Sequence, residues 1–151
     1  TGHLVLSTLH TNDAPSAAIR LVDMGIQPFL VSSSLLTVIA QRLVRTLCES
    51  CKQKYELPEK VCDTLEVPRG TEVFRPVGCN ECRGTGYRGR SAIFEIMSVS
   101  ENIRQLIVSG ASSDVLRREA IQSGMKTLRQ SGVQKILDGL TSVEEVLTTT
   151  F

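Results

Sequence analysis

The sequence predicts an α/β protein that carries an inserted metal module and ends in a pack of helices. Three observations lead to this fold class: an apolar run at the start, two cysteine pairs in the middle, and apolar residues at helical spacing towards the end. The predicted segments are 1–47, the α/β part; 48–90, a tetracysteine zinc-binding module; and 91–151, a strand followed by a helical subdomain. The content of 41% hydrophobic and 22% charged residues is typical of a globular protein.

The first segment is predicted to open on a strand. Residues His3–Leu9 form an apolar run of the kind found in strands buried on both faces of a parallel sheet. Pro15 suits a first helical turn, and the helix after it is expected to close at Met24 and Gly25. Because the chain starts with Thr1 and enters a strand at once, we expect it to be part of a longer protein.

A second helix is predicted over Pro28–Ala40, followed by a strand over Arg42–Leu47. The middle segment is rich in turn residues and has room for one helix near Glu59–Leu65. The last segment returns to a strand over Ile93–Met97 and is helical from Ser100 onward. A capping box formed by Ser142 and Glu145 is expected to start the last helix.

The middle segment is defined by four cysteines at the spacing of a metal site. Each pair has a gap of two residues, and 27 residues separate the second cysteine from the third. Such pairs can point four thiolates at one ion, which predicts a closed structural Zn²⁺ site with no position left for water or substrate. The predicted ligands are Cys48, Cys51, Cys79 and Cys82.

Two other interpretations of these cysteines remain open. Disulfides need an oxidising compartment, yet the chain shows no signal peptide and Cys62 would be left unpaired. A thioredoxin-type redox pair would need one such motif after a strand rather than two copies. We interpret Cys62 as an ordinary, partly buried residue.

Charge and hydropathy limit the partners of the chain. The net charge is +1, and residues 48–90 hold eight Lys or Arg against seven Asp or Glu, so no concentrated basic face for nucleic acid is expected. The longest apolar stretch, Phe29–Ala40, is broken by serines and is too short to cross a bilayer. Membrane association would therefore require a partner.

The candidate functional residue of the first segment is His10, which follows the predicted strand. Ligands of parallel α/β sheets bind beyond the carboxyl ends of the strands, where an imidazole could contact a terminal phosphate or position a water. The alternative is that His10 is a surface histidine and that Asp13 is a simple helix cap.

The sequence resembles the ATPases that drive type II secretion and type IV pilus assembly. Residues 1–12 are similar to the "His box" of that family, and the likeness continues through Arg20–Ile26, Ala40–Cys48, the four cysteines and Gly86–Arg90. The amino-acid sequence of Met24–Cys48 is more similar to the type II secretion member than to pilus-extension ATPases. Retraction ATPases of the same superfamily lack a tetracysteine domain of this kind.

The resemblance implies the C-terminal part of a RecA-like P-loop ATPase domain, with a truncated parallel sheet. It implies a cytoplasmic homo-hexamer, peripheral to the inner membrane and docked on secretion platform proteins, that uses ATP and Mg²⁺ to assemble a pseudopilus. His3 and His10 would be the catalytic histidines, and Arg90 would contact nucleotide, although Arg90 could instead only help to pack the zinc module. The phosphate-binding loop Gly-x-x-x-x-Gly-Lys-Ser/Thr is not in these residues, so we expect them to be inactive alone.

Three alternatives stay open at this point. The parent could be a pilus-assembly ATPase of the same family. The chain could be a zinc-ribbon or chaperone-type binding module without an enzymatic parent, since residues 79–86 resemble one repeat of J-type chaperone cysteine-rich domains. The zinc insert could also be an arm that docks onto the membrane platform.

Overall fold

A computed structural model describes residues 2–150. These residues form seven α-helices: α1 (Ala14–Asp23), α2 (Pro28–Ser34), α3 (Glu59–Leu65), α4 (Glu101–Val108), α5 (Ser113–Gln122), α6 (Leu128–Leu137) and α7 (Val143–Thr149). They also form four strands: β1 (Thr37–Leu47), β2 (Gln53–Glu56), β3 (Glu72–Arg75) and β4 (Tyr87–Ser98). In this part of the chain, β1 pairs with β4, and β2 pairs with β3 in antiparallel register.

The chain divides into two compact units, each built from two separate stretches. The first unit comprises residues 2–40 and 95–125, and the second comprises residues 41–94 and 126–150. The predicted segments 1–47, 48–90 and 91–151 remain a prediction, and their outermost residues, 1 and 151, lie outside the described range. A mixed α/β fold, as predicted, is confirmed.

The first unit is a helical pack around a small apolar core. Helices α1, α2, α4 and α5 turn their apolar residues inward, because these recur at spacings of three and four residues. The core is made of Ala14, Ala18, Val31, Met97, Val99, Ile103, Ile107, Leu116, Ala120 and Met125.

The second unit packs the paired strands β2 and β3, together with α3, against α6 and α7. Its buried core consists of Leu57, Cys62, Leu65, Val73, Ile136 and Val146. Cys62 is fully buried and its thiol lies 3.7 Å from the carbonyl oxygen of Leu57, so it behaves as a small apolar core residue.

The predicted opening strand is not found. Residues 2–10 contain no strand, and Leu4, Val5 and Leu6 are 75%, 79% and 88% exposed. A strand needs a hydrogen-bonded neighbour, and the pairing partners among residues 2–150 are β1 with β4 and β2 with β3. The expectation of a strand buried on both faces is therefore wrong for this structure, and a parallel sheet around it is not observed.

Two predicted boundaries also need correction. The second helix ends at Ser34 rather than at residue 40, and β1 starts at Thr37 rather than at Arg42. The β-branched run Thr37–Ile39 favours extended backbone, and the carbonyl of Leu36 accepts a hydrogen bond from the backbone N–H of Val99. The helix predicted over Glu59–Leu65 is confirmed.

The predicted capping box at α7 is only half formed. The Ser142 hydroxyl accepts from the backbone N–H of Glu145 at 3.3 Å, but the Glu145 carboxylate accepts from the Arg45 guanidinium at 2.6 Å instead of returning to Ser142. A complete capping box occurs at α6, between Thr127 and Gln130. The ion pair with Arg45 thus holds the Glu145 carboxylate away from the backbone N–H of Ser142.

Among residues 2–150, each helix is too short or too polar to cross a lipid bilayer.

Gly132 gives a direct test of the packing of α6 on α7. A Cβ atom at Gly132 would lie 2.5 Å from Cγ1 of Val146, which is closer than two non-bonded carbon atoms approach in proteins. Replacing glycine by alanine normally stabilises a helix interior by about 1 kcal/mol. Here we expect Gly132→Ala to lower the free energy of unfolding by about 1–3 kcal/mol in a denaturant titration, because the clash outweighs helix propensity.

The matched control for this prediction is Gln134→Ala, at an exposed position of the same helix. It should change the free energy of unfolding by less than about 0.5 kcal/mol. A Gly132→Ala protein as stable as the parent, or more stable, would show that α6 and α7 do not approach each other this closely.

Candidate metal centre

The first cysteine pair forms a tight turn directly after β1. The carbonyl of Cys48 accepts from the backbone N–H groups of Cys51 at 3.3 Å and Lys52 at 3.0 Å. These two bonds turn the chain back within four residues. Both thiols can therefore point to the same side.

The second pair forms a similar turn just before β4. The carbonyl of Cys79 accepts from the backbone N–H of Gly84 at 2.8 Å, and that of Asn80 accepts from Arg83 at 3.2 Å. Arg83 has a φ of 54°, a left-handed conformation that few non-glycine residues adopt. This conformation reverses the direction of the chain directly after the second cysteine pair.

The two turns bring all four thiols together. Their sulfur atoms lie within 4.8 Å of one another, with separations of 3.9 Å for Cys48 and Cys79, 3.8 Å for Cys51 and Cys82, and 3.8 Å for Cys79 and Cys82. A tetrahedral ion with metal–sulfur bonds of about 2.3 Å places its ligands about 3.8 Å apart. The arrangement therefore fits a four-thiolate metal centre, and all five cysteines are free thiols.

Backbone N–H groups point at the sulfur atoms. Cys51 Sγ accepts from Gly78 at 3.3 Å, and Cys82 Sγ accepts from the N–H groups of Cys79 and Gly86, both at 3.1 Å. Such hydrogen bonds favour thiolate over thiol and orient the ligands of a metal.

The pKa values of two thiols are driven in opposite directions. Burial raises the pKa of Cys82, but N–H donation from Cys79 and Gly86, with help from neighbouring thiols, brings that pKa down to about 6. Burial, reinforced by the neighbouring thiols and opposed by the Gly78 N–H, raises the pKa of Cys51 to about 11. Because metal ligands must be thiolates, binding an ion here would release protons.

A metal bound by these four sulfur atoms would hold structure and would not catalyse. Four protein ligands complete a tetrahedron, so no position remains for a water molecule or a substrate. The chain on both sides of the cluster is also tied to residues 139–142. The backbone N–H of Leu47 donates to Leu140 at 2.9 Å, the Thr141 hydroxyl donates to the carbonyl of Arg45 at 2.7 Å, and the hydroxyls of Tyr87 and Ser142 are 2.7 Å apart.

The other predicted site residues are not members of the four-cysteine cluster. His3 and His10 are exposed in the segment before α1, in the first unit. Arg90 is exposed on β4, in the second unit. Their roles towards nucleotide stay a prediction. Thr11–Asp13, directly after His10, border a shallow groove of about 350 Å³.

Sequence reasoning missed two residues beside this segment. The alternative interpretation of Asp13 as a helix cap is confirmed by a 2.8 Å hydrogen bond from the backbone N–H of Ser16. Sequence reasoning did not foresee that Arg117 donates to the second Asp13 oxygen at 2.6 Å, or that Glu95 accepts from the backbone N–H of Ala14 at 2.9 Å. One signal was available, because Glu95 lies between Ile93 and Met97 on the same inward-facing side of β4, where a charged residue is unexpected.

Comparison with known proteins adds the family. Residues 1–148 match the family described as "Type II/IV secretion system protein". The chain belongs to the type II/IV secretion system protein family. This membership confirms the resemblance seen in the sequence.

Curated relatives carry two kinds of name within this family. The chain is 50% identical to the type IV pilus assembly ATPase TfpB of Acinetobacter baylyi, over 97% of its own length and 26% of that protein. It is 50% identical to the type II secretion system protein E of Pseudomonas aeruginosa, over 99% of its length and 30% of that protein. It is 49% identical to the type IV pilus assembly ATPase PilB of Myxococcus xanthus, over 97% of its length and 27% of that protein. The chain thus spans roughly a quarter to a third of these relatives.

The glycines around the cluster provide a matched pair of substitutions. Gly84 and Gly86 both have a φ of 78°, so alanine is equally strained at either position. A Cβ at Gly84 meets nothing within 4 Å, whereas a Cβ at Gly86 would lie 2.5 Å from Cβ of Pro76.

We expect Gly86→Ala to weaken metal binding roughly 10- to 100-fold, because it must displace the N–H donor to Cys82. Gly84→Ala should weaken binding much less. The measurement is competition with a chromophoric chelator. Equal affinities for the two variants would mean that the hydrogen bond from Gly86 does not support the centre.

Proposed function

We propose that this chain is the C-terminal segment of a secretion ATPase that couples ATP hydrolysis to pseudopilus assembly and type II protein secretion. The observation that carries the proposal is the identity of about 50%, over nearly the whole chain, to family members named type II secretion system protein E and type IV pilus assembly ATPase. A zinc-binding module without an enzymatic parent is not supported by that match.

The second candidate is an ATPase for type IV pilus assembly. It is favoured by identities of 50% and 49% to TfpB and PilB, which lie within one percentage point of the 50% identity to protein E. The two candidates share their chemistry and differ in the filament assembled. Deleting the gene in its host separates them by whether protein secretion or piliation is lost.

The proposed parent is a cytoplasmic homo-hexamer, peripheral to the inner membrane, that works on platform proteins of the secretion system. Its fold would be RecA-like. The exposed apolar side chains of Leu4, Val5 and Leu6 support a longer parent, because contact with another part of it would bury them. The sequence Gly-x-x-x-x-Gly-Lys-Ser/Thr is not among the 151 residues, so we propose that the segment alone is inactive.

Within that enzyme, His10 and His3 would act at the terminal phosphate of ATP bound with Mg²⁺. A histidine there can donate to a phosphate oxygen or orient the attacking water. Arg90 would contact nucleotide through its forked guanidinium. The exposure of all three side chains leaves them accessible to a ligand.

We propose Zn²⁺ as the ion of the cysteine centre, because four thiolates in a tetrahedron favour zinc over harder cations. Purified protein should hold about one zinc per chain by elemental analysis. Cys79→Ser should reduce that content strongly, since three thiolates bind less tightly than four.

Cys62→Ser is the matched control, because Cys62 lies in the core of the second unit and is not among the four clustered thiols. It should keep the zinc. Zinc near zero in the folded parent protein, or undiminished zinc in Cys79→Ser, would refute the assignment of the centre.

The catalytic proposal is tested in the full-length protein. His10→Ala should lower kcat for ATP hydrolysis by roughly 100-fold, the size typical of losing a positioned proton donor or acceptor. The control is Lys60→Ala, an exposed position on α3 that has no assigned role and lies outside residues 1–12. Unchanged turnover in His10→Ala, with the hexamer intact, would refute the role of His10.

A further inference from the structure

Asp13 fixes the chain three residues after His10 through both carboxylate oxygens. Oδ1 accepts from the backbone N–H of Ser16 at 2.8 Å, which caps α1. Oδ2 accepts from Nη2 of Arg117 at 2.6 Å. Arg117 belongs to α5 and is 104 positions away in the sequence. The cap alone would satisfy the helix, as a serine hydroxyl does at α4 and α7. The bond to Arg117 therefore adds a long-range anchor that helix formation does not require.

Glu95 fixes the next residue from a different element. Its Oε1 accepts from the backbone N–H of Ala14 at 2.9 Å, and the side chain is only 1% exposed. A buried carboxylate is costly unless it is hydrogen-bonded, and the positive end of a helix dipole is one of the few places that stabilise it. Glu95 belongs to β4, so this anchor is independent of α5.

Two adjacent residues, Asp13 and Ala14, are thus held by partners 104 and 81 positions away. The hydroxyl of Thr11 also donates to the carbonyl of Asp13 at 3.2 Å. The exposed segment with His10 leaves from this fixed point, and two independent anchors restrict its direction more than a helix cap alone would. A rigid base matters for a catalytic group, because an error of about 1 Å in placement can cost roughly 100-fold in rate.

We propose that Arg117 and Glu95 are positioning residues for catalysis: they hold the base of the segment that carries His10, so that its imidazole reaches the terminal phosphate of bound nucleotide. This inference rests on the proposed function, since it assumes an ATPase in which His10 acts. It goes further by assigning roles to two residues that do not touch the nucleotide.

The test is a double-mutant cycle in the full-length protein, with kcat and KM measured at varied ATP concentration. Arg117→Met should lower kcat roughly tenfold or more while KM changes little, because positioning acts on the chemical step. Arg117→Lys keeps a cation and should recover part of the loss. The matched control is Arg118→Met, an exposed neighbour on the same helix, which should leave kcat unchanged.

The same substitutions are then made in a His10→Ala background. If Arg117 acts through His10, Arg117→Met should cost less than about twofold there, since the group it positions is gone. Glu95→Met removes the acceptor of the Ala14 N–H at similar side-chain volume, so its kcat should also fall and show the same dependence on His10. Glu95→Gln keeps an acceptor at that place and should retain most of kcat. The Glu95 variants keep the test available if Arg117→Met does not fold.

The contrary outcomes distinguish an error in the positioning roles from an error in the role of His10. An equal loss of kcat in both backgrounds would overturn positioning and leave only a structural role for Arg117 and Glu95. Normal kcat in folded Arg117→Met and Glu95→Met proteins would overturn it as well. Unchanged turnover in His10→Ala itself would instead refute the proposed role of His10, and the inference would fall with it.

Discussion

The convergence of four cysteine sulfur atoms on one point is the constraint on which the second unit depends. Two turns separated by 27 residues meet there, and the insert between them contains two short strands and one short helix. So small an insert cannot bury enough apolar surface to be stable alone, and it shares its core with α6 and α7. A metal ion bound by the four sulfur atoms would close the insert at its base and add folding energy directly.

The consequences extend along the chain on both sides of the cluster. Arg45, just before it, stacks over the ring of Tyr87 at 4.0 Å and pairs with Glu145 of α7 at 2.6 Å. Lys52, just after Cys51, donates to the carbonyl of Gly139 at 3.1 Å. Residues that flank the first cysteine pair therefore also contact the last helix and the turn before it, which is consistent with a second unit that combines the middle of the chain with its end.

The sequence predicted what local chemistry determines and missed what depends on distant chain. The cysteine spacing predicted the four residues whose sulfur atoms cluster, and the cap at Asp13 was one of the two interpretations open from the sequence, because both signals lie within a few positions. The apolar run at residues 3–9 predicted a buried strand, yet burial needs a neighbour that periodicity does not reveal. The anchors at Glu95 and Arg117 span 81 and 104 residues, and only the charge at an inward-facing strand position hinted at one of them.

The coordination of the centre can be measured most directly by X-ray absorption at the zinc edge on purified protein. Four sulfur neighbours at about 2.3 Å, with no nitrogen or oxygen in the first shell, are expected if the two cysteine pairs grip one ion. Fewer than four sulfur atoms, or ligands at about 2.0 Å typical of histidine or water, would contradict a closed four-thiolate centre and the folding role assigned to it.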